Sequence, residues 1–313
     1  MGVRRAVEIA EKEAAAANLR LDATGIADKT GASSGNYCVY TLGPLIHSPK
    51  VLADLNSLGV NIIDDPSALK SSFPAADCSL STIIIRTHGV RPDIEDELCG
   101  MGFRIVDATC PKVKQSQLKT RELSRAGFFL FLAGEALHAE ITGLLGYASC
   151  GGKKEPLRSR EKENQFCKVT GSAEDAENAA LTLYNFNKNA KTALIGQTTI
   201  SENEYNNIAD AVKKYFPSLM IVNSICAATT ERQNALRDLL PNVDAVIIAG
   251  GSESANTRCL YSIAKDSGIP CVLAQNACDI PPSFYRLNTI GLCAGASTPD
   301  SVINEIESKL KLY

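Results

Sequence analysis

Three histidines, two cysteines and one glutamate are the side chains of this sequence whose types and placing could do chemistry. His47, His88 and His138 are the only histidines, and each closes or follows a short apolar run, in "TLGPLIHS", "IIIRTHGV" and "LAGEALHAE". Imidazole can donate to a phosphate oxygen, bind a metal or shuttle protons. A single histidine reads as an ordinary core or surface residue; three in the same kind of place read as a site. Three histidines on zinc are the alternative, without an H-E-x-x-H spacing to support it. Cys110, in Asp-Ala-Thr-Cys-Pro, and Cys226, in Ile-Cys-Ala-Ala-Thr-Thr, stand where a strand hands over to a helix. Such a position favours the thiolate, as ligand or nucleophile. Buried structural cysteine is the plain alternative, and spacing does not overturn it. Glu140 follows His138 by two residues, and Thr198 and Thr199 follow Gln197. A carboxyl and a hydroxyl near a bound anion suggest a proton relay, against solvent exposure or local backbone bonding.

Two further segments suit an anion. Residues 250–256 (Gly-Gly-Ser-Glu-Ser-Ala-Asn) and 294–297 (Ala-Gly-Ala-Ser) each follow an apolar run and open a helical pattern. Small residues let backbone N–H groups approach an anion, and a helix N-terminus favours negative charge. Ser254, Asn256 and Ser297 add side-chain donors. Ordinary helix capping explains either segment by itself; two of them with the histidines point to a phosphate or diphosphate pocket. Neither G-x-G-x-x-G nor G-x-x-x-x-G-K-S/T occurs, so no nucleotide fingerprint is present.

These segments need a scaffold that gathers strand ends. Apolar runs at 38–42, 82–85, 103–106, 128–132, 193–195, 219–222, 243–249, 271–273 and 289–292 do not alternate with polar residues. That is the pattern of strands buried on both faces. Amphipathic stretches lie between them, at 93–101, 112–126, 204–215, 230–240, 257–267 and 300–310. The alternation predicts an α/β fold with parallel sheets, whose ligands bind at the carboxyl ends of strands. The chain opens on a helical stripe, Val3, Ala6, Val7 and Ala10. Polar stretches at 22–36 and 151–165 read as inserted loops.

Composition narrows the class. Apolar residues make up 45% and charged residues 21%, ample for a globular core. A net charge of −3 gives no reason to expect nucleic acid or an anionic membrane as partner. No apolar run reaches a membrane span, and the expected compartment is the cytoplasm. Eleven cysteines, scattered and without a Cys-x-x-Cys pair, do not read as a disulfide framework or a zinc ribbon.

Nine motifs in one order resemble the LytB family of 4-hydroxy-3-methylbut-2-enyl diphosphate reductases. They are Gly2-Val3-Arg4-Arg5-Ala6, Gly43-Pro44-Leu45-Ile46-His47, Thr87-His88-Gly89-Val90, Asp107-Ala108-Thr109-Cys110-Pro111, His138-Ala139-Glu140, Gln197-Thr198-Thr199, Ile225-Cys226, Thr230-Glu231-Arg232-Gln233 and Ala294-Gly295-Ala296-Ser297. The resemblance spans nearly the whole chain. It implies three similar α/β domains with small parallel sheets around a central iron–sulfur site, here 1–109, 110–224 and 225–313. It implies the last step of the non-mevalonate pathway: reductive loss of the hydroxyl of an allylic diphosphate, giving isopentenyl and dimethylallyl diphosphate. Position by position it makes Cys110 and Cys226 ligands of a 4Fe-4S cluster. His47, His88, His138, Ser254, Asn256 and Ser297 become diphosphate-binding residues, Glu140 the proton source and Thr198 part of its relay. Ferredoxin or flavodoxin is implied as electron donor. The other class of function to set against this is a non-catalytic diphosphate-binding or redox-sensing relative.

Four departures stand out. Ser48 replaces the usual Asn after His47, Ala255 replaces a Ser, and Cys293 replaces a Thr. The family's Cys-x-Gly-Val-x-Arg-Ala motif aligns on Gly2-Val3, which puts its cysteine immediately before residue 1. The expectation is that the third cluster cysteine lies upstream in the reading frame, with Cys38 a poorer substitute. On that expectation, the 313 residues alone assemble the cluster badly.

Overall fold

The computed structural model describes residues 2–24, 38–64, 80–149 and 166–312. Among the described residues the elements follow in this order: α1 (Gly2–Thr24), β1 (Val39–Leu42), α2 (Pro49–Ser57), β2 (Val60–Ile63), β3 (Thr82–Ile85), α3 (Pro92–Gly100), β4 (Arg104–Asp107), α4 (Pro111–Arg125), β5 (Phe129–Ala133), α5 (Ala139–Ser149), β6 (Cys167–Thr170), α6 (Ala173–Phe186), β7 (Thr192–Gly196), α7 (Glu202–Lys213), β8 (Met220–Ile221), α8 (Ala227–Leu239), β9 (Ala245–Ala249), α9 (Ala255–Asp266), β10 (Cys271–Ala274), β11 (Ile290–Ala294) and α10 (Asp300–Leu310). The strands form three small sheets, ordered β2-β1-β3-β4, β6-β5-β7-β8 and β10-β9-β11. Every strand pairing among them is parallel. The fold is therefore α/β with three parallel sheets.

The central strands are those with uninterrupted apolar runs. β3, β7 and β9 are buried along their whole length, as strands covered by helices on both faces must be. Local signals start the helices. Pro92 and Pro111 occupy the first turns of α3 and α4, where a missing N–H costs nothing. Ser172 caps α6 by accepting from Asp175 N at 3.1 Å. The apolar stripe expected at the chain's start is real: Ala6, Ala10 and Ala14 are buried along one face of α1. That helix runs to Thr24, so residues 22–24 are helical; the rest of the 22–36 stretch and all of 151–165 lie outside the described residues.

The chain divides into two compact units: 1–46, 52–197 and 204–224 in one, 47–51, 198–203 and 225–313 in the other. In the first unit, Leu130, Leu132, Ile141, Leu144 and Ile195 pack between the second sheet, α4 and α5. Ile83, Ile85, Leu98 and Phe103 do the same for the first sheet and α3. In the second unit, Ile247, Phe284 and Ile306 fill one face of β9, while Ile248, Leu260 and Leu236 fill the other. Each such buried side chain contributes roughly 1.5–3 kcal/mol. No described helix is long and apolar enough to cross a membrane.

Candidate functional site

In the first unit, four candidate residues stand at strand ends. β4 ends at Asp107, and the next turn carries Cys110 as N-cap of α4, its thiol making no capping bond. The turn is braced from several sides. Asp107 Oδ1 accepts from Thr109 N at 2.9 Å, and Asp107 Oδ2 pairs with Lys114 Nζ at 2.9 Å. Arg5, from α1, donates through Nη1 to Thr109 O at 3.1 Å. Cys110 N donates to Thr87 O at 2.9 Å. Burial alone would raise the Asp107 carboxyl, but the hydrogen bonds from Thr109 and Lys114 and the Lys114 charge outweigh it and hold it below the ordinary carboxylate range. The start of α1 lies against the same sulfur: a Cβ built on Gly2 would stand 2.7 Å from Cys110 Sγ.

After β3, residues 86–89 form a turn closed by Gly89 N donating to Arg86 O at 2.9 Å, with His88 inside it. Its ring meets that of His138 edge-on, with centroids 5.2 Å apart. After β5, His138 precedes α5, and its Nδ1 accepts from Glu140 N at 3.2 Å. Glu140 lies in the first turn of α5 and is 1% exposed. A carboxyl so buried, on a residue whose backbone N is bonded to the His138 ring, suits holding and releasing a proton more than meeting bulk water.

The second unit carries the other set. β9 ends in Gly250 and Gly251, and Ser254 then caps α9, accepting from Thr257 N at 3.4 Å. Ser297, after β11, donates to Ser254 Oγ at 3.4 Å. Asn256 is 4% exposed, yet neither amide atom has a hydrogen-bond partner among the described residues. Such orphaned buried groups are rare and ask for an explanation; a polar ligand supplies one. His47 adjoins the same loop, its carbonyl 2.9 Å from where a Cβ on Gly251 would be. His47, Lys50, Gly250, Gly251 and Ser297 line a cavity of about 250 Å³. Cys226 caps α8, and its N donates to Thr198 O at 3.0 Å.

The sequence motifs give Thr87 no role of its own and do not include Thr257. Thr257 is fully buried, its hydroxyl without a hydrogen-bond partner among the described residues, and it stands where side chains on Gly250 and Gly295 would be. It follows Asn256 directly, and only packing marks it out. Two of the departures lie in ordered backbone: Ser48 is buried beside His47, and Ala255 is buried in the first turn of α9.

Cys110 and Cys226 suit an iron–sulfur cluster chemically. Both are free thiols, only partly buried, and each is the N-cap of a helix without a side-chain capping bond. No three His, Cys, Asp or Glu side chains among the described residues form a ligand set for a single ion. A cluster does not ask for one, since its thiolates bind separate irons.

Comparison with known proteins agrees with this architecture. The LytB protein family profile matches residues 1–311. A protein named 4-hydroxy-3-methylbut-2-enyl diphosphate reductase from Treponema denticola is 38% identical over 309 residues, covering 99% of this chain and 94% of its own. One of the same name from Aquifex aeolicus is 33% identical over 312 residues, covering 99% and 92%. Among solved structures, the Plasmodium falciparum E-1-hydroxy-2-methyl-but-2-enyl-4-diphosphate reductase has the same fold, with a TM-score of 0.78 at 24% identity over 99% of this chain and 83% of that one. A structure of (E)-4-hydroxy-3-methyl-but-2-enyl diphosphate reductase, described as the terminal enzyme of the non-mevalonate pathway, gives a TM-score of 0.62 at 31% identity, covering 100% and 95%.

Proposed function

From the premise that this chain belongs to the LytB family, we propose that it catalyses reductive dehydroxylation of (E)-4-hydroxy-3-methylbut-2-enyl diphosphate, the last step of the non-mevalonate isoprenoid pathway. The C–O bond of the allylic alcohol breaks and the hydroxyl leaves as water, taking one proton. Two electrons and a second proton go to the carbon skeleton, giving isopentenyl or dimethylallyl diphosphate. The observation that carries the reading is Glu140: a carboxyl buried in the first turn of α5, on a residue whose backbone N donates to His138, which in turn meets His88 edge-on.

The chain's own residues divide the work. His47, Ser254, Asn256 and Ser297 bind the diphosphate, with His88 and His138. Asn256 turns its unpartnered amide to it, which removes the cost of two buried orphan groups. Glu140 delivers a proton from its carboxyl oxygen to the departing hydroxyl, and Thr198 belongs to its relay. Cys110 and Cys226 would each ligate a 4Fe-4S cluster, which when bound would supply electrons and a Lewis-acidic iron for C–O cleavage. The electrons arrive from a ferredoxin or flavodoxin, and the setting is the cytoplasm. The three sheets correspond to three domains, 1–109, 110–224 and 225–313.

The test uses protein expressed anaerobically from the complete reading frame and supplied with a strong reductant. Wild type forms both products. Glu140→Gln keeps the shape but cannot give up a carboxyl proton, so kcat falls about 10²–10⁴-fold while pyrophosphate binding stays. An active Glu140→Gln variant would remove the proton-source role. A wild-type protein that binds pyrophosphate but forms neither product would point to the non-catalytic relative instead.

A further inference from the structure

We propose that Thr87 is a positioning residue that holds together, within the first unit, the turns of His88 and Cys110 and the chain at Leu45 that leads to His47. The inference deepens the reductase reading and rests on it. Thr87 sits in the turn 86–89, directly before His88, and is buried. Both of its polar ends are committed. Its carbonyl accepts from Cys110 N at 2.9 Å. Its hydroxyl donates to Leu45 O at 3.1 Å, in a bond shielded from solvent. Leu45 is itself fully buried and lies two residues before His47. One residue thus fixes the turn holding His88, the turn holding Cys110 and the backbone leading to His47.

The two bonds do different things, so they can be separated. The carbonyl bond belongs to the backbone and survives any substitution that keeps the turn. The hydroxyl bond is the side chain's own contribution. Without it, Leu45 O loses a buried donor and the 45–47 segment gains freedom that substrate binding must then remove. The hydroxyl donates to Leu45 O, so the role assigned to Thr87 is exerted through the segments that carry His47 and His88. A loss confined to diphosphate binding follows. Proton delivery and cluster holding stay intact.

The experiment compares wild type, Thr87→Val, Thr87→Ala and Thr87→Ser, each expressed from the complete reading frame and loaded anaerobically. Thr87→Val keeps shape and carbonyl, so iron and sulfide content and the electron paramagnetic resonance spectrum match wild type. KM for the allylic diphosphate and Kd for inorganic pyrophosphate rise about tenfold, with kcat within about twofold. Thr87→Ser restores both constants. Thr87→Ala repeats the loss if Thr87→Val does not fold, with thermal melting reporting which variants are folded. Wild-type pyrophosphate affinity in a folded Val or Ala variant, or failure of Ser to restore it, overturns the assignment. So does loss of the cluster from a folded Val variant. If wild type binds pyrophosphate yet forms no product, the reductase reading fails while the pyrophosphate arm still judges Thr87.

Discussion

At the scale of single residues, the binding role proposed for Asn256 is set against stability. Its amide oxygen and nitrogen are buried with no hydrogen-bond partner among the described residues. Each buried orphan costs roughly 1–3 kcal/mol in the ligand-free protein. Leucine has nearly the same shape and no polar atoms. Asn256→Leu should therefore raise the melting temperature of the ligand-free protein and abolish its stabilisation by pyrophosphate. A variant that melts lower than wild type, or still gains stability from pyrophosphate, would contradict this account. Glu140 is the converse case: its burial is plain in the structure, whereas the sequence showed only a carboxyl two residues after a histidine.

At the scale of elements, the Asp107–Lys114 pair ties the end of β4 to the first turn of α4, and the Cys110 turn lies between them. Asp107 is held below the ordinary carboxylate range, so its contribution is complete above that range and is lost as pH falls through the folded-state value. Asp107→Asn keeps an oxygen for Thr109 N but removes the charge. The melting-temperature gap between wild type and Asp107→Asn should be constant near neutrality and should close below about pH 4. A gap that does not change with pH would show that the charge contributes nothing.

Legibility in the sequence also differs by element. The central strands β1, β3, β5, β7 and β9 announce themselves by unbroken apolar runs. β2 and β6 do not: both are sheet edges, and Asn61, Ile62 and Lys168 face solvent, which breaks the run. The 219–222 run, read as buried on both faces, shrinks to the two-residue edge strand β8, with Met220 and Ile221 about two-fifths exposed. α5 lacks a polar stripe because Ile141, Leu144 and Tyr147 are buried along with Gly143 and Gly146, so periodicity alone does not reveal it. Motif order named the candidate residues. It gave Thr87 no role of its own, because the Leu45 carbonyl that its hydroxyl meets lies far away in sequence, and it did not reach Thr257, which only packing against Gly250 and Gly295 marks out.

At the scale of the whole molecule, the two compact units are interleaved along the chain. His47 and Thr198 lie on short excursions, 47–51 and 198–203, that belong to the second unit although the first unit's chain surrounds them. Residues 225–313 expressed alone would lack both excursions, including the His47 carbonyl beside Gly251. Such a fragment should bind pyrophosphate much more weakly than the whole chain in calorimetry. Equal affinity would mean that the excursions are dispensable to the site.

The all-parallel pairing has a kinetic consequence. Antiparallel strands can close through a tight hairpin, but parallel neighbours must wait for a crossover of a dozen or more residues. Every pairing among the described strands is of that second kind. Sheets built that way wait on contacts distant in sequence, and topology of this sort folds slowly. The turns that follow those strands, that of Cys110 after β4 among them, take their final form only as the crossovers close.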